Sequence, residues 1–183
     1  MSQVSKVFVA MDNMNGPQRD EFMNKLGDAP VNIKLGLEFF TEFGREGLIE
    51  FKEKYQKKIF FDYKLHDIPN TVSKAISAMK GLPIDYLTIH LSGGREMIKA
   101  ALKARDEYLP GTKILGVSFL TSLGAHDFSE LWNLKGDAPD FERLFKIGLE
   151  ENIDGFILSP NELGTVKNLE DKLNKTALKV TPG

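Results

Sequence analysis

Asp62 and Lys64 stand two residues apart in the run Ile59, Phe60, Phe61, Asp62, Tyr63, Lys64. On a β-strand that spacing turns both side chains to one face. Charges set among such apolar neighbours must be paired or used, because desolvating an unpaired ion costs several kcal/mol. A structural ion pair meets that demand as well as a reacting one does, and the spacing alone leaves the two readings level. Asp67, three residues further on, tilts the balance. It makes two carboxylates around one ammonium group, Lys64, or two if Lys34 joins, a charge arrangement that needs no metal. Pro69 stiffens the loop, and Asn70 or Thr71 is placed to cap the helix that follows.

Groups of this kind need strands to carry them. Short β-rich apolar runs alternate along the chain with longer segments of helical period, the pattern of βα units on a parallel sheet. Seven strands are predicted: Lys6–Met11, Val31–Leu35, Lys58–Tyr63, Asp85–His90, Lys113–Leu120, Asp154–Leu158 and Ala177–Thr181. Between them, Phe22 with Leu26, Leu48 with Phe51 and Tyr55, Val72 with Ile76 and Met79, Ile98 with Leu102, and Phe141 with Leu144 and Phe145 keep the spacing of a buried helix stripe. Ser159, Pro160, Asn161 and Glu162 read as the capped start of the last helix. The unit repeats every ~25–30 residues, as a (β/α)8 TIM barrel of about 250 residues requires. An open doubly wound sheet is the alternative, but no glycine-rich dinucleotide fingerprint follows the first strand. In barrel enzymes the reacting groups lie at the C-terminal strand ends, and here those ends carry Asp12, Lys34, Asp62 with Lys64, His90, and Thr121 with Ser122.

Composition narrows the classes further. The chain has 183 residues, 42% hydrophobic and 27% charged, which suits one globular domain over residues 1–183. No apolar run approaches the roughly 18 residues of a membrane span, and no signal-like segment opens the chain, so a cytoplasmic protein is expected. There is no cysteine, and the 3 histidines have no zinc-ligand spacing. A net charge of −2 offers no electrostatic case for nucleic acid or an anionic membrane. Small molecules or a second copy are the expected partners.

The loop FDYKLHDIPNT, residues 61–71, closely resembles the signature of the orotidine 5′-monophosphate decarboxylase family, aspartate-x-lysine-x-x-aspartate followed by isoleucine-proline-asparagine-threonine. Supporting segments follow in order: VFVAMD ending at Asp12, IKLGLEFF from Ile33, TIHLSGG from Thr88, VSFLTSL from Val117, GFILSPNE from Gly155, and VTPG at the end. The resemblance implies decarboxylation of orotidine 5′-monophosphate to UMP in de novo pyrimidine biosynthesis, with no cofactor and no metal, through a C6 carbanion. It implies an alternating network of Lys34, Asp62, Lys64 and Asp67 in which Lys64 is the proton donor, and a homodimer with shared sites in which Asp67 reaches into the neighbour. Asp12, Lys34 and Thr71 match positions that hold the ribose hydroxyls, Thr71 again from the neighbour. Ser122 matches the residue that reads the pyrimidine amide, with Thr121 beside it, and Ile68 and Pro182 join the substrate-binding set.

The family's phosphate grip comes from an arginine shortly after VTPG, a glutamine in the following lid and a glycine-arginine pair after strand eight. All of these fall beyond residue 183, so strand eight and the C-terminal phosphate-binding segment are expected to be missing from this chain. A molecule that ended at Gly183 would, on this expectation, be unstable and nearly inactive. Two alternatives stand beside this reading. One is a magnesium-dependent phosphosugar decarboxylase or aldolase, since the sister keto-gulonate-phosphate decarboxylases and hexulose-phosphate synthases share the first three residues of the motif, although the proline-asparagine-threonine continuation points away from them. The other is a non-catalytic barrel fragment.

Overall fold

A computed structural model describes residues 6–120 and 122–182. Seven strands lie in one parallel sheet in chain order: β1 (Phe8–Ala10), β2 (Asn32–Gly36), β3 (Ile59–Leu65), β4 (Tyr86–His90), β5 (Lys113–Val117), β6 (Gly155–Ile157) and β7 (Leu178–Val180). Helices α1 (Gly16–Leu26), α2 (Leu37–Tyr55), α3 (Pro69–Ala78) and α4 (Gly94–Tyr108) follow the first four strands. α5 (Ala125–Trp132) and α6 (Ala138–Glu150) both fall between β5 and β6, and α7 (Leu163–Leu173) joins β6 to β7. Every expected strand is present. The eight-strand closure is not: among the described residues the sheet is a seven-strand half-barrel in which β1 and β7 pair with β2 and β6 but not with each other.

Strand lengths differ from expectation where the neighbours run out. β5 stops at Val117 rather than Leu120, because its last rungs are His90 on β4 and Ile157 on β6 and neither strand extends further. β3 instead runs past Tyr63 to Leu65, which finds Ile89 as a partner. The cap expected at Asn70 or Thr71 is absent. Proline's fixed φ suits the first helical position, so α3 starts at Pro69, the cap falls on apolar Ile68, and both polar side chains lie inside the helix. Asp67 takes up the local role, its Oδ1 accepting the Ile68 N–H at 2.7 Å. The Ser159–Glu162 capping box does form, though it opens a 3-10 turn (Pro160–Glu162) that leads into α7.

The expected helix stripes face the sheet: Leu48, Phe51, Val72, Ile76, Met79, Ile98 and Phe145 are buried in one core with the outward faces of the strands. On the concave side Phe8, Phe60 and Tyr86, from β1, β3 and β4, meet edge to face with ring centroids 5.3 and 5.1 Å from Phe8. Aromatic rings thus fill the floor beneath the strand ends.

At the opposite, N-terminal end of the sheet, acidic residues staple neighbouring strands. Asp85 Oδ2 accepts the Ile59 N–H at 2.9 Å. Asp154 Oδ2 accepts the Ile114 N–H at 2.9 Å while Arg105 and Lys113 pair with the same carboxylate. Burial pushes the Asp154 carboxyl up, but the Ile114 N–H, Arg105 and Lys113 outweigh it and hold the group below the usual carboxylate range. A depressed folded value means stability that is present above the unfolded value and lost as pH falls through the folded one. Asp154→Ala should therefore cost about 1–3 kcal/mol at pH 7, the range for stranding buried donors. Urea unfolding at pH 7 and near pH 3 checks this, and the deficit should shrink at the lower pH.

Candidate active site

The C-terminal ends of the strands surround a cavity of about 400 Å³. Its floor is Phe8, Ala10 and Phe60; its walls are Lys34, Asp62, Lys64, Val117, Ser118, Phe119 and Leu120, with Ile157 to Ser159, Glu162 and Val180 to Pro182 opposite. Charge is concentrated on the β2–β3 side. Asp62 Oδ2 lies 2.7 Å from Lys64 Nζ and 3.7 Å from Lys34 Nζ, and Lys34 Nζ lies 2.6 Å from Asp12 Oδ2. The order Asp12, Lys34, Asp62, Lys64 alternates in sign, so every like charge has an opposite one between. The Asp62 side chain is the most enclosed of the four at 14% exposure. Gly36, at the end of β2, keeps room for Asp12: a Cβ there would stand 3.2 Å from Asp12 Oδ1.

Lys64 reaches the cavity by an unusual backbone. Its φ is +50°, in the left-handed region, and the β3–β4 register shifts between Phe61 and Leu65. Such bulges re-aim side chains and are frequent beside reacting groups. Around the bulge, Tyr63 stacks on Phe61 at 4.8 Å and meets Phe40 edge to face at 5.4 Å. Asp62 and Lys64 share a side as the strand spacing predicts, but by an irregular backbone rather than a regular pleat.

The structure brings Asp12, Lys34, Asp62 and Lys64 together and sets Pro182 in the cavity wall. Asp67, Ile68 and Thr71 are exposed on the loop and helix start after β3, outside the cavity of their own chain. Ser122 is exposed and does not line the cavity, and Thr121 lies outside the described residues. Two residues in the site escaped the sequence reading of roles. Thr88 is fully buried on β4, its hydroxyl bonded to Asp62 and to the Lys64 backbone. A threonine between leucine and isoleucine in the strand YLTIH was the available signal. Glu162, read only as a cap, lines the cavity, and burial pushes its carboxyl up against the opposing Ser159 N–H.

Parallel strands in chain order with ionisable side chains gathered at their C-terminal ends define an enzyme of the βα-barrel class. Within that class the chain belongs to the orotidine 5′-phosphate decarboxylase / HUMPS family, whose model matches residues 5–183. It is 36% identical over 158 residues to the orotidine 5′-phosphate decarboxylase of Aquifex aeolicus, covering 84% of this chain and 64% of that protein. It is 35% identical over 182 residues to the decarboxylase of Wolbachia pipientis, covering 98% of this chain and 77% of that one. The crystal structure of the decarboxylase from Lactobacillus acidophilus superposes with a TM-score of 0.79 at 35% identity, over 97% of this chain and 80% of that one. The chain thus spans about two thirds to four fifths of the length of these relatives. The relatives' name is that of a carboxy-lyase.

His90, at the end of β4, has its ring centroid 5.0 Å from that of His66. Burial, then the charges of His66 and Lys64, hold its imidazole below the ordinary histidine range, with Asp62 opposing. Titration followed by NMR should give a His90 midpoint below about 6.5, the unperturbed value. Lys64→Ala should move that midpoint only part of the way back, since burial is the larger cause. A parent midpoint at or above the ordinary value would contradict the arrangement of charges around it.

Proposed function

We propose that this chain decarboxylates orotidine 5′-monophosphate to UMP, as a cytoplasmic enzyme of de novo pyrimidine biosynthesis that needs neither metal nor cofactor. The observation that carries the reading is Asp62 held between Lys34 and Lys64 at the wall of a largely apolar cavity. The C6–carboxylate bond breaks, CO2 leaves, and the electron pair stays on C6. The Lys64 ammonium stabilises that developing anion and then gives it a proton, so one fixed cation serves both steps. Asp62 holds the Lys64 ammonium in place beforehand. Its own negative charge beside the departing carboxylate adds a smaller, ground-state contribution. Asp12 and Lys34 bind the ribose hydroxyls from the β1–β2 side, Pro182 contributes to the cavity wall, and the family motif assigns the pyrimidine amide to Ser122. Weighing against a magnesium-dependent phosphosugar reaction, the Asp62 carboxylate is already shared by two ammonium groups, which leaves it a poor ligand for a divalent cation.

Two further parts of the reading concern the assembly. Asp67 and Thr71 act in a neighbouring subunit's cavity in a homodimer with shared sites, a reading supported by their exposure after β3. The half-barrel is read as part of a single eight-strand barrel domain, with one more strand bridging β1 and β7 and a phosphate grip following strand seven. Binding energy from that phosphate would orient the small reacting centre, so its loss would lower rate as well as affinity.

Lys64→Ala is expected to abolish turnover of orotidine 5′-monophosphate while the thermal transition persists. Steady-state assay checks this, and a variant within tenfold of the parent would remove Lys64 as the proton donor. Mixing Lys64→Ala with Asp67→Ala subunits should restore activity, because a heterodimer carries one cavity with wild-type groups from both chains. Subunits that exchange without recovery of activity would contradict the shared site.

A further inference from the structure

Lys64 enters the cavity from a backbone conformation that side chains rarely adopt, so something must hold it there. Phe61 pairs with Leu87 and Leu65 with Ile89, so four steps along β3 answer two along β4 and residues 62–64 leave the regular ladder. The Lys64 N–H, displaced from that ladder, finds its acceptor in Thr88 Oγ1 at 2.9 Å. The same oxygen stands 3.0 Å from Asp62 Oδ1. A hydroxyl has one proton to donate, so with the Lys64 N–H pointing at its lone pair, that proton goes to the carboxylate. Thr88 is fully buried and β-branched, which restricts its χ1 and leaves the hydroxyl little freedom to turn elsewhere.

We infer that Thr88 is a positioning residue for the reaction. One hydroxyl ties the backbone of Lys64 to Oδ1 of Asp62, and leaves Asp62 Oδ2 to the two ammonium groups. Thr88 is absent from the cavity lining, so it acts through the pair and not on the substrate. The inference deepens the decarboxylase reading and rests on it. It separates from a space-filling role because valine has the shape of threonine without the hydroxyl, and serine has the hydroxyl without the methyl.

The test compares parent, Thr88→Val and Thr88→Ser in the full chain by steady-state kinetics on orotidine 5′-monophosphate and by hydrogen exchange at the Lys64 amide. Thr88→Val should lose about 10- to 100-fold in kcat, as misplacement of a reacting group does, with KM within about threefold of the parent. Thr88→Ser should stay within about threefold of the parent in kcat, and Lys64 amide exchange should be at least about tenfold faster in the valine variant alone, its acceptor being gone. Parental kcat in Thr88→Val, or an equal loss in Thr88→Ser, overturns the inference. Should the valine variant not fold, Thr88→Ala, read against Thr88→Ser, takes its place with the same two outcomes. A parent without activity on this substrate defeats the decarboxylase reading instead, and the exchange measurement then decides for Thr88: faster exchange in the valine variant supports the anchor, and an unchanged rate overturns it.

Discussion

Asp62 carries a negative charge where the surrounding strands are apolar, and the site depends on how that charge is met. Its Oδ2 is shared by Lys64 at 2.7 Å and Lys34 at 3.7 Å, while its Oδ1 accepts a bond from Thr88 at 3.0 Å. Each contact is with a group on a different strand, so the carboxylate couples β2, β3 and β4 at their C-terminal ends. Removing one partner would leave an under-compensated ion in a poorly solvated place, which is more costly than the pair is stabilising. The same alternation holds Lys64 in place, which on the proposed reading spares reorganisation when charge develops.

The rest of the fold serves to hold those strand ends in place. The aromatic trio of Phe8, Phe60 and Tyr86 packs edge to face on the concave side below the charges. Asp85 and Asp154 pin adjacent strands at the far end, through Ile59 at the start of β3 and Ile114 near the start of β5. Register set there is transmitted along the strands to the cavity, because a one-residue slip would turn every side chain to the other face.

Much of this was legible in the chain itself. Strand period, helix stripes and one cap placed all seven strands and every helix but α5, since pleat and helical turn write directly into the spacing of apolar residues. The Asp62–Lys64 pair was legible for the same reason. The bulge beneath it was not, because a register shift depends on what β4 offers opposite β3, and spacing along one strand carries no such information. Thr88 was hidden likewise: its partners are 24 and 26 residues away in sequence. The misplaced cap at Asn70 or Thr71 reflects a competition that Pro69 wins by starting the helix itself. Asp67 and Thr71, expected to act on a neighbour, are exposed in the single chain, where their own cavity lies out of reach.

On the proposed reading, fixed side-chain charges, with no metal among them, carry out the decarboxylation. Its most direct measurement is the initial rate of CO2 release from orotidine 5′-monophosphate by protein dialysed against a chelator, with and without added magnesium. One CO2 per UMP formed is expected, at the same rate in both conditions. Activity lost on chelation and restored by magnesium would contradict it.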